Sequence, residues 1–222
     1  MPVLKHLLIA FALFLIPLGG AMAGDDSSEI DLSTLQSRAK SGEGGAMAKL
    51  GMLYMWGDEI PADYAKAFDW FQKAVKAGNA RGHFGLSNLY IAGLGRAADE
   101  KKAVKHLRIA ADKGHWRTLY LLGGFHEAGK HVPKDAALMR KYWLRAAKGG
   151  YWDAMTGLGF AYLKGVGGEK DVVKALGWFL VWEHTYLGAR EEHPEVFKEL
   201  PPDDQAEAEK WAEAFIKKHL DP

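Results

Sequence analysis

Apolar positions recur at helical spacing along most of the chain. In "DYAKAFDWFQKAVKAG", Asp63 to Gly78, the residues Ala67, Trp70, Phe71 and Ala74 stand at i, i+3, i+4 and i+7, one face of an amphipathic helix. Lys73 and Lys76 fall in the last turn, where cations suit the helix dipole, and Gly78 ends the segment. Upstream, the spacing of Leu50 and Tyr54 predicts a helix over 46–56 that stops at Gly57, since glycine accepts the positive φ of a helix C-terminus.

The pattern returns every 36 residues without an insertion. Asp63, Asp99, Asp135 and Asp171 each precede a second helix, the N-cap position, where a carboxylate accepts a backbone N–H bond. Leu50, Leu86, Leu122 and Leu158 align, as do Tyr54, Tyr90, His126 and Tyr162, and Gly57, Gly93, Gly129 and Gly165. On the second helices Phe71, Leu107, Trp143 and Phe179 share a column. A helix pair of this size cannot bury its own apolar face, so neighbouring pairs must stack. The predicted units are 46–81, 82–117, 118–153 and 154–189. Small residues at Ala46, Gly82, Thr118 and Ala154 are expected to seat a bulky aromatic of an adjoining helix.

Both ends look closed. Residues 29–42 match a second helix alone, with Leu35 in the register of Phe71, so 24–45 is assigned to a linker and a capping half-repeat. A helix over about 203–219 carries Ala208, Trp211, Ala212, Phe215 and His219 on one face, and 190–222 is assigned to C-terminal capping helices. The fold class expected is all-α.

The residues Ala46, Leu50, Gly51, Tyr54, Gly57, Asp63, Lys66, Ala67, Trp70, Lys73, Ala74 and Gly78 resemble the Sel1-like repeat, a relative of the tetratricopeptide repeat. The "GVG" at Gly165 to Gly167 is similar to the glycine-rich connection of that family, and "LPPDDQAEAEKWAEAF" to the tail that often follows such arrays. Local departures are His126 for the tyrosine, Leu138 for the lysine and Tyr186 for the final glycine. The resemblance implies a right-handed α-solenoid that binds proteins, commonly as an envelope adaptor, regulator, inhibitor or immunity protein.

Residues 1–23 change the picture of location. Lys5 and His6, the apolar run from Leu7 to Leu18, and "AMA" ending at Ala23 have the layout of a secretory signal peptide. A periplasmic protein starting at Gly24 is expected, with secretion to the medium as the variant, and the 12-residue apolar run is too short for a stable span. Without those residues 28 basic side chains face 28 acidic ones, a balance that leaves no overall footprint for nucleic acid or an anionic membrane. The absence of cysteine excludes disulfides, thiol nucleophiles and thiolate metal sites.

Candidate chemistry is sparse. His83, His106 and His126 occupy columns held elsewhere by apolar or aromatic residues, which reads as packing, and no HExxH spacing occurs. "SRAK" at Ser37 to Lys40 lacks the KTG companion of the serine acyl-transfer enzymes and falls in the capping half-repeat. No catalytic residue, metal or cofactor is assigned. A binding surface is the better candidate, on columns of the first helices whose chemistry differs between units. These are Lys49, Gly85, Leu121 and Gly157; Met52, Asn88, Gly124 and Phe160; and Trp56, Ala92, Ala128 and Lys164. Trp116 and Trp152, with Tyr151 and His115 beside them, are candidate anchors for a protein partner, their alternative role being packing on the preceding helix. The competing function is a cell-wall-associated enzyme or a peptidoglycan-binding protein, which requires convergent acids in a cleft.

Overall fold

The computed structural model describes residues 31–57, 59–185 and 201–221, and among these it contains ten helices and no strand. They are α1 (Leu32–Lys40), α2 (Gly44–Trp56), α3 (Tyr64–Lys76), α4 (Ala80–Ala92), α5 (Glu100–Asp112), α6 (Trp116–Ala128), α7 (Ala136–Lys148), α8 (Trp152–Lys164), α9 (Val172–Thr185) and α10 (Pro202–His219). The pairs α2/α3, α4/α5, α6/α7 and α8/α9 stack in chain order, α1 packs on α2, and α10 packs on α9. The arrangement is an all-α solenoid. The proposed signal segment, the 24–30 linker, Tyr186 and the 190–200 part of the C-terminal cap lie outside the described residues.

Helix limits follow local chemistry. Each first helix ends on a left-handed glycine, Gly57, Gly93, Gly129 and Gly165, with φ of 78°, 65°, 68° and 70°. Each second helix opens at its aspartate, whose Oδ1 accepts from the backbone N–H of Lys66, Lys102, Leu138 or Lys174 at 2.8–2.9 Å. The same aspartates donate their own N–H to the carbonyls of Tyr54, Tyr90, His126 and Tyr162, clamping each connection across its two ends. First helices begin two residues earlier than the apolar pattern implies. Asn79 shows why in α4, since its side chain caps the N–H groups of Arg81 and Gly82.

Units interlock through aromatics seated on glycines, though not where the sequence pattern placed them. A Cβ on Gly82 would meet Ala74 Cβ at 2.8 Å and the Val75 nitrogen at 2.9 Å, so that small column lets backbones approach and holds no ring. The ring of Phe71 instead lies between Gly51 of its own unit and Gly85 of the next, where a Cβ would sit 2.6 Å and 2.3 Å from it. Trp143 repeats this between Gly123 and Gly157, at 2.3 Å and 2.9 Å. In the second unit the corresponding core residue is the smaller Leu107, and Ser87 and Leu121 replace the two glycines. Size is conserved across the seam by exchanging large with small.

The connections pack on the preceding unit in the same register. A Cβ on Gly95 would lie 2.5 Å from the Tyr64 carbonyl oxygen, and one on Gly167 would lie 2.1 Å from that of Ala136. Between them stands His131, the one non-glycine residue at positive φ among those described, at 65°. Its Nδ1 lies 2.5 Å from Glu100 Oε1, on the first turn of the preceding second helix. The hydrogen bond holds a ring where the neighbouring units place no side chain.

Candidate functional site

The first helices present one face to their own second helices and leave a stripe partly open. Met52, Asn88, Gly124 and Phe160 are half-buried on that stripe, and a Cβ on Gly124 would meet nothing within 4 Å. One turn further on, Trp56 is 45% exposed, Ala92, Ala128 and Lys164 are exposed, and the Lys164 ammonium lies 5.6 Å from the Phe160 ring centre. These two columns occupy equivalent positions on the four first helices, and together they make the first-helix ribbon.

The third variable column behaves differently. Gly85 and Gly157 are the seats for Phe71 and Trp143, and Leu121 packs against the core that contains Leu107, so their variation answers the interior. Lys49 is half-buried and stands fourteen residues after Leu35 of the half-repeat, the same offset as Gly85 from Phe71. Tyr151 is only 6% exposed and is stacked on Trp116 with ring centres 4.7 Å apart, while Tyr120 meets it edge-on at 5.1 Å. His115 stacks beyond Trp116 at 6.0 Å and reaches Phe84 at 5.2 Å. Trp116 and Trp152 are half-buried and packed against the core. This aromatic row joins units two to four, and Tyr151 offers no ring face to a partner.

Beneath that row lies a polar group that column reading missed. Asp153 is 8% exposed, and burial raises its pKa against the opposing pull of the Tyr151 hydroxyl and the Arg117 charge. Burial first, and then Asp153, push the Tyr120 hydroxyl up to about 12 and the Tyr151 hydroxyl upward as well. The signal was the column Gly45, Arg81, Arg117 and Asp153, in which charge reverses in the last unit.

Histidines serve packing. His83 and His106 face each other with Nδ1 atoms 2.9 Å apart, one donating and one accepting, and Tyr90 stacks on His106. Burial holds His83 below its usual pKa and lowers His106 to about 4. His126 stacks on Tyr142 and its Nδ1 bonds the Pro133 carbonyl. The two departures of unit three belong together. In the other units the lysine three residues after the cap lies 5.4–5.8 Å from the ring of Tyr54, Tyr90 or Tyr162, and unit three replaces both partners with Leu138 and His126. Among the described residues no group of three or more histidine, aspartate or glutamate side chains is placed to hold a metal ion. No helix among them is long and apolar enough to cross a membrane.

Four stacked helix pairs, capped by aspartate and interlocked by glycine and aromatic, define an α-solenoid repeat protein. The chain belongs to the Sel1 repeat family, whose model matches residues 45–79, 80–115, 117–151 and 152–180. It is similar to c5321, a protective antigen of uropathogenic Escherichia coli with an SLR fold, at 29% identity and a TM-score of 0.70, over 84% of this chain and 40% of that one. A Sel1 repeat protein from Oxalobacter formigenes is 27% identical, with a TM-score of 0.66 over 74% of this chain and 48% of that one. The chain therefore spans less than half the length of either. The immunity protein Pa5087 from Pseudomonas aeruginosa shares the fold at 23% identity and a TM-score of 0.51, over 85% of this chain and 72% of that one. No curated protein matches. Sel1 repeats generally mediate protein interactions, and the repeats found here are consistent with such a role.

Proposed function

We propose that this protein is a non-enzymatic scaffold that binds a protein of the cell envelope through the first-helix ribbon, as adaptor, regulator or inhibitor. The observation that carries the reading is the contrast between columns. Positions that pack repeat from unit to unit or exchange size in compensating pairs, whereas Met52, Asn88, Gly124 and Phe160 lie half-buried on a partly open stripe and differ in chemistry, Phe160 also meeting Phe179 edge-on at 5.2 Å. Trp56 adds an exposed aromatic, a residue type enriched at binding hot spots. Location in the envelope is supported by the layout of residues 1–23. An immunity-type inhibitor is the narrower form of the same reading.

The test is capture from an envelope fraction of the source organism, with the full chain beside its Gly124→Arg variant. The new Cβ enters open space there, circular-dichroism melts check that the fold is kept, and the long side chain blocks the middle of the ribbon. A protein retained by the wild type and lost by the variant is the expected outcome. Assay of that protein's own activity, with and without this chain, then separates inhibitor from adaptor. Equal recovery by both baits moves the docking surface off the ribbon.

A further inference from the structure

Charge over the whole chain is nearly balanced, yet the fold distributes it unevenly. On α5, Lys101, Lys105 and Arg108 stand at i, i+4 and i+7, and all three are exposed. Lys141 on α7 repeats the register of Lys105 one unit later, and Lys148 follows in the last turn, both exposed. α7 contains no acidic residue. Arg145 donates from Nη2 to the Ala111 carbonyl at 2.8 Å, which sets the C-terminal parts of α5 and α7 side by side.

The acids nearby are already engaged. Asp99 pairs with Lys102 at 3.0 Å, Glu100 is hydrogen-bonded to His131, and Asp135 caps α7. Asp112 is the remaining acid of α5, against five basic side chains that make no ion pair among the described residues. At the edge of this face Lys148 lies near the last turn of α10, where Lys217 and Lys218 are exposed and Asp221 follows.

We propose that the outer face of α5 and α7 docks on an anionic phospholipid surface. Four of the five unpaired groups are lysines, compact charges on flexible stems, and no exposed aromatic stands among them. Protein interfaces are depleted in lysine and enriched in aromatics, methionine and arginine, so this surface is poorly suited to a sculpted acidic partner. A fluid layer of phosphate headgroups demands no such geometry and attracts each lysine or arginine independently. The face belongs to second helices and the ribbon to first helices, so the inference stands apart from the proposed function.

The experiment measures apparent affinity of the full chain for vesicles of phosphatidylcholine alone and of phosphatidylcholine mixed with phosphatidylglycerol. The ratio of the two isolates headgroup charge from any apolar attachment, which both vesicles share. Each basic residue removed should lower that ratio by about fivefold, so Lys101→Ala/Lys105→Ala/Lys141→Ala should lose on the order of a hundredfold. An off-face triple with the same charge change, Lys40→Ala/Lys170→Ala/Lys210→Ala, should lose far less, and Lys101→Arg/Lys105→Arg/Lys141→Arg should retain the preference. Circular-dichroism melts establish that all variants fold. A wild type without preference for anionic vesicles, equal losses in the two alanine triples, or a preference unaffected by added salt would each overturn the proposal. The first of these outcomes would leave the face to an acidic protein.

Discussion

Gly123 and Gly124 are neighbours on α6 and should respond oppositely to the same substitution. An alanine Cβ at Gly123 would lie 2.3 Å from both Cδ1 and Nε1 of Trp143, and 3.2 Å from the Met139 carbonyl oxygen. Trp143 has no room to retreat, because its six-membered ring already lies against Gly157 of the next unit and its Nε1 donates to the Tyr120 carbonyl at 3.1 Å. Overpacking of this kind costs about 1–3 kcal/mol, and loss of the indole hydrogen bond adds roughly 1 kcal/mol. Better helix propensity returns roughly 1 kcal/mol, so Gly123→Ala should destabilise by about 1–3 kcal/mol. At Gly124 only the propensity gain operates, because the new methyl meets nothing within 4 Å, and Gly124→Ala should stabilise by roughly 1 kcal/mol. Urea unfolding followed by circular dichroism measures both shifts in midpoint. Since about 1 kcal/mol moves the melting temperature by roughly 2–4 °C in a chain of this size, thermal melts should separate the variants as well. If Gly123→Ala proved as stable as Gly124→Ala, the seating of Trp143 between two glycines would be refuted.

The other seams give sharper contrasts. Gly85→Leu should cost more than about 3 kcal/mol against Phe71, and Phe71→Leu in the same chain should restore at least about 1 kcal/mol, recreating the Leu107 and Leu121 pair of the second seam; additive losses in a double-mutant cycle would contradict this. Asp135→Ala should cost about 1 kcal/mol in urea unfolding, and it isolates the cap because Leu138 supplies no ammonium there. Stability should fall with acidification between about pH 6.5 and 4, because burial lowers His106 and His115 to about 4 and also lowers His83, so the unfolded chain binds protons that the folded one excludes. Asp153, raised by burial, opposes this by taking up a proton in the folded state first, and His106→Tyr should flatten the decline measured as urea midpoint against pH.

Helix order, caps and terminal glycines were legible in the sequence because each is a local property repeated at a fixed period. The aspartate bond to the third following N–H needs no neighbour beyond its own turn. The seams were misplaced because a single column carries only half of a packing relation. Lys49, Gly85, Leu121 and Gly157 look like free variation until set beside Leu35, Phe71, Leu107 and Trp143, fourteen residues earlier, where a large ring meets glycine in the second and fourth pairs and leucine meets leucine in the third. The same pairing of columns joins His126 to Leu138. Trp116 and Tyr151 lie at comparable registers, but their mutual stacking depends on how far one unit rotates against the next, which no periodicity specifies. The burial of Asp153 is hidden for the same reason.

Repetition also sharpens what counts as unexplained. When four units share one scaffold, an exposed position that differs among them is under no common demand from the fold, unless a particular neighbour supplies one. The column Asp69, Lys105, Lys141 and Gly177 illustrates the sorting. Gly177 has such a neighbour, for a Cβ there would lie 2.4 Å from the Trp211 ring of the closing helix. Asp69 is exposed and opposite in charge, so it bounds the basic face at the first unit. Among the described residues Lys105 and Lys141 have no ion-pair partner and no ring beneath them that requires an ammonium. Packing thus accounts for one end of the column and leaves the two lysines of the middle units to solvent or to the anionic surface proposed above.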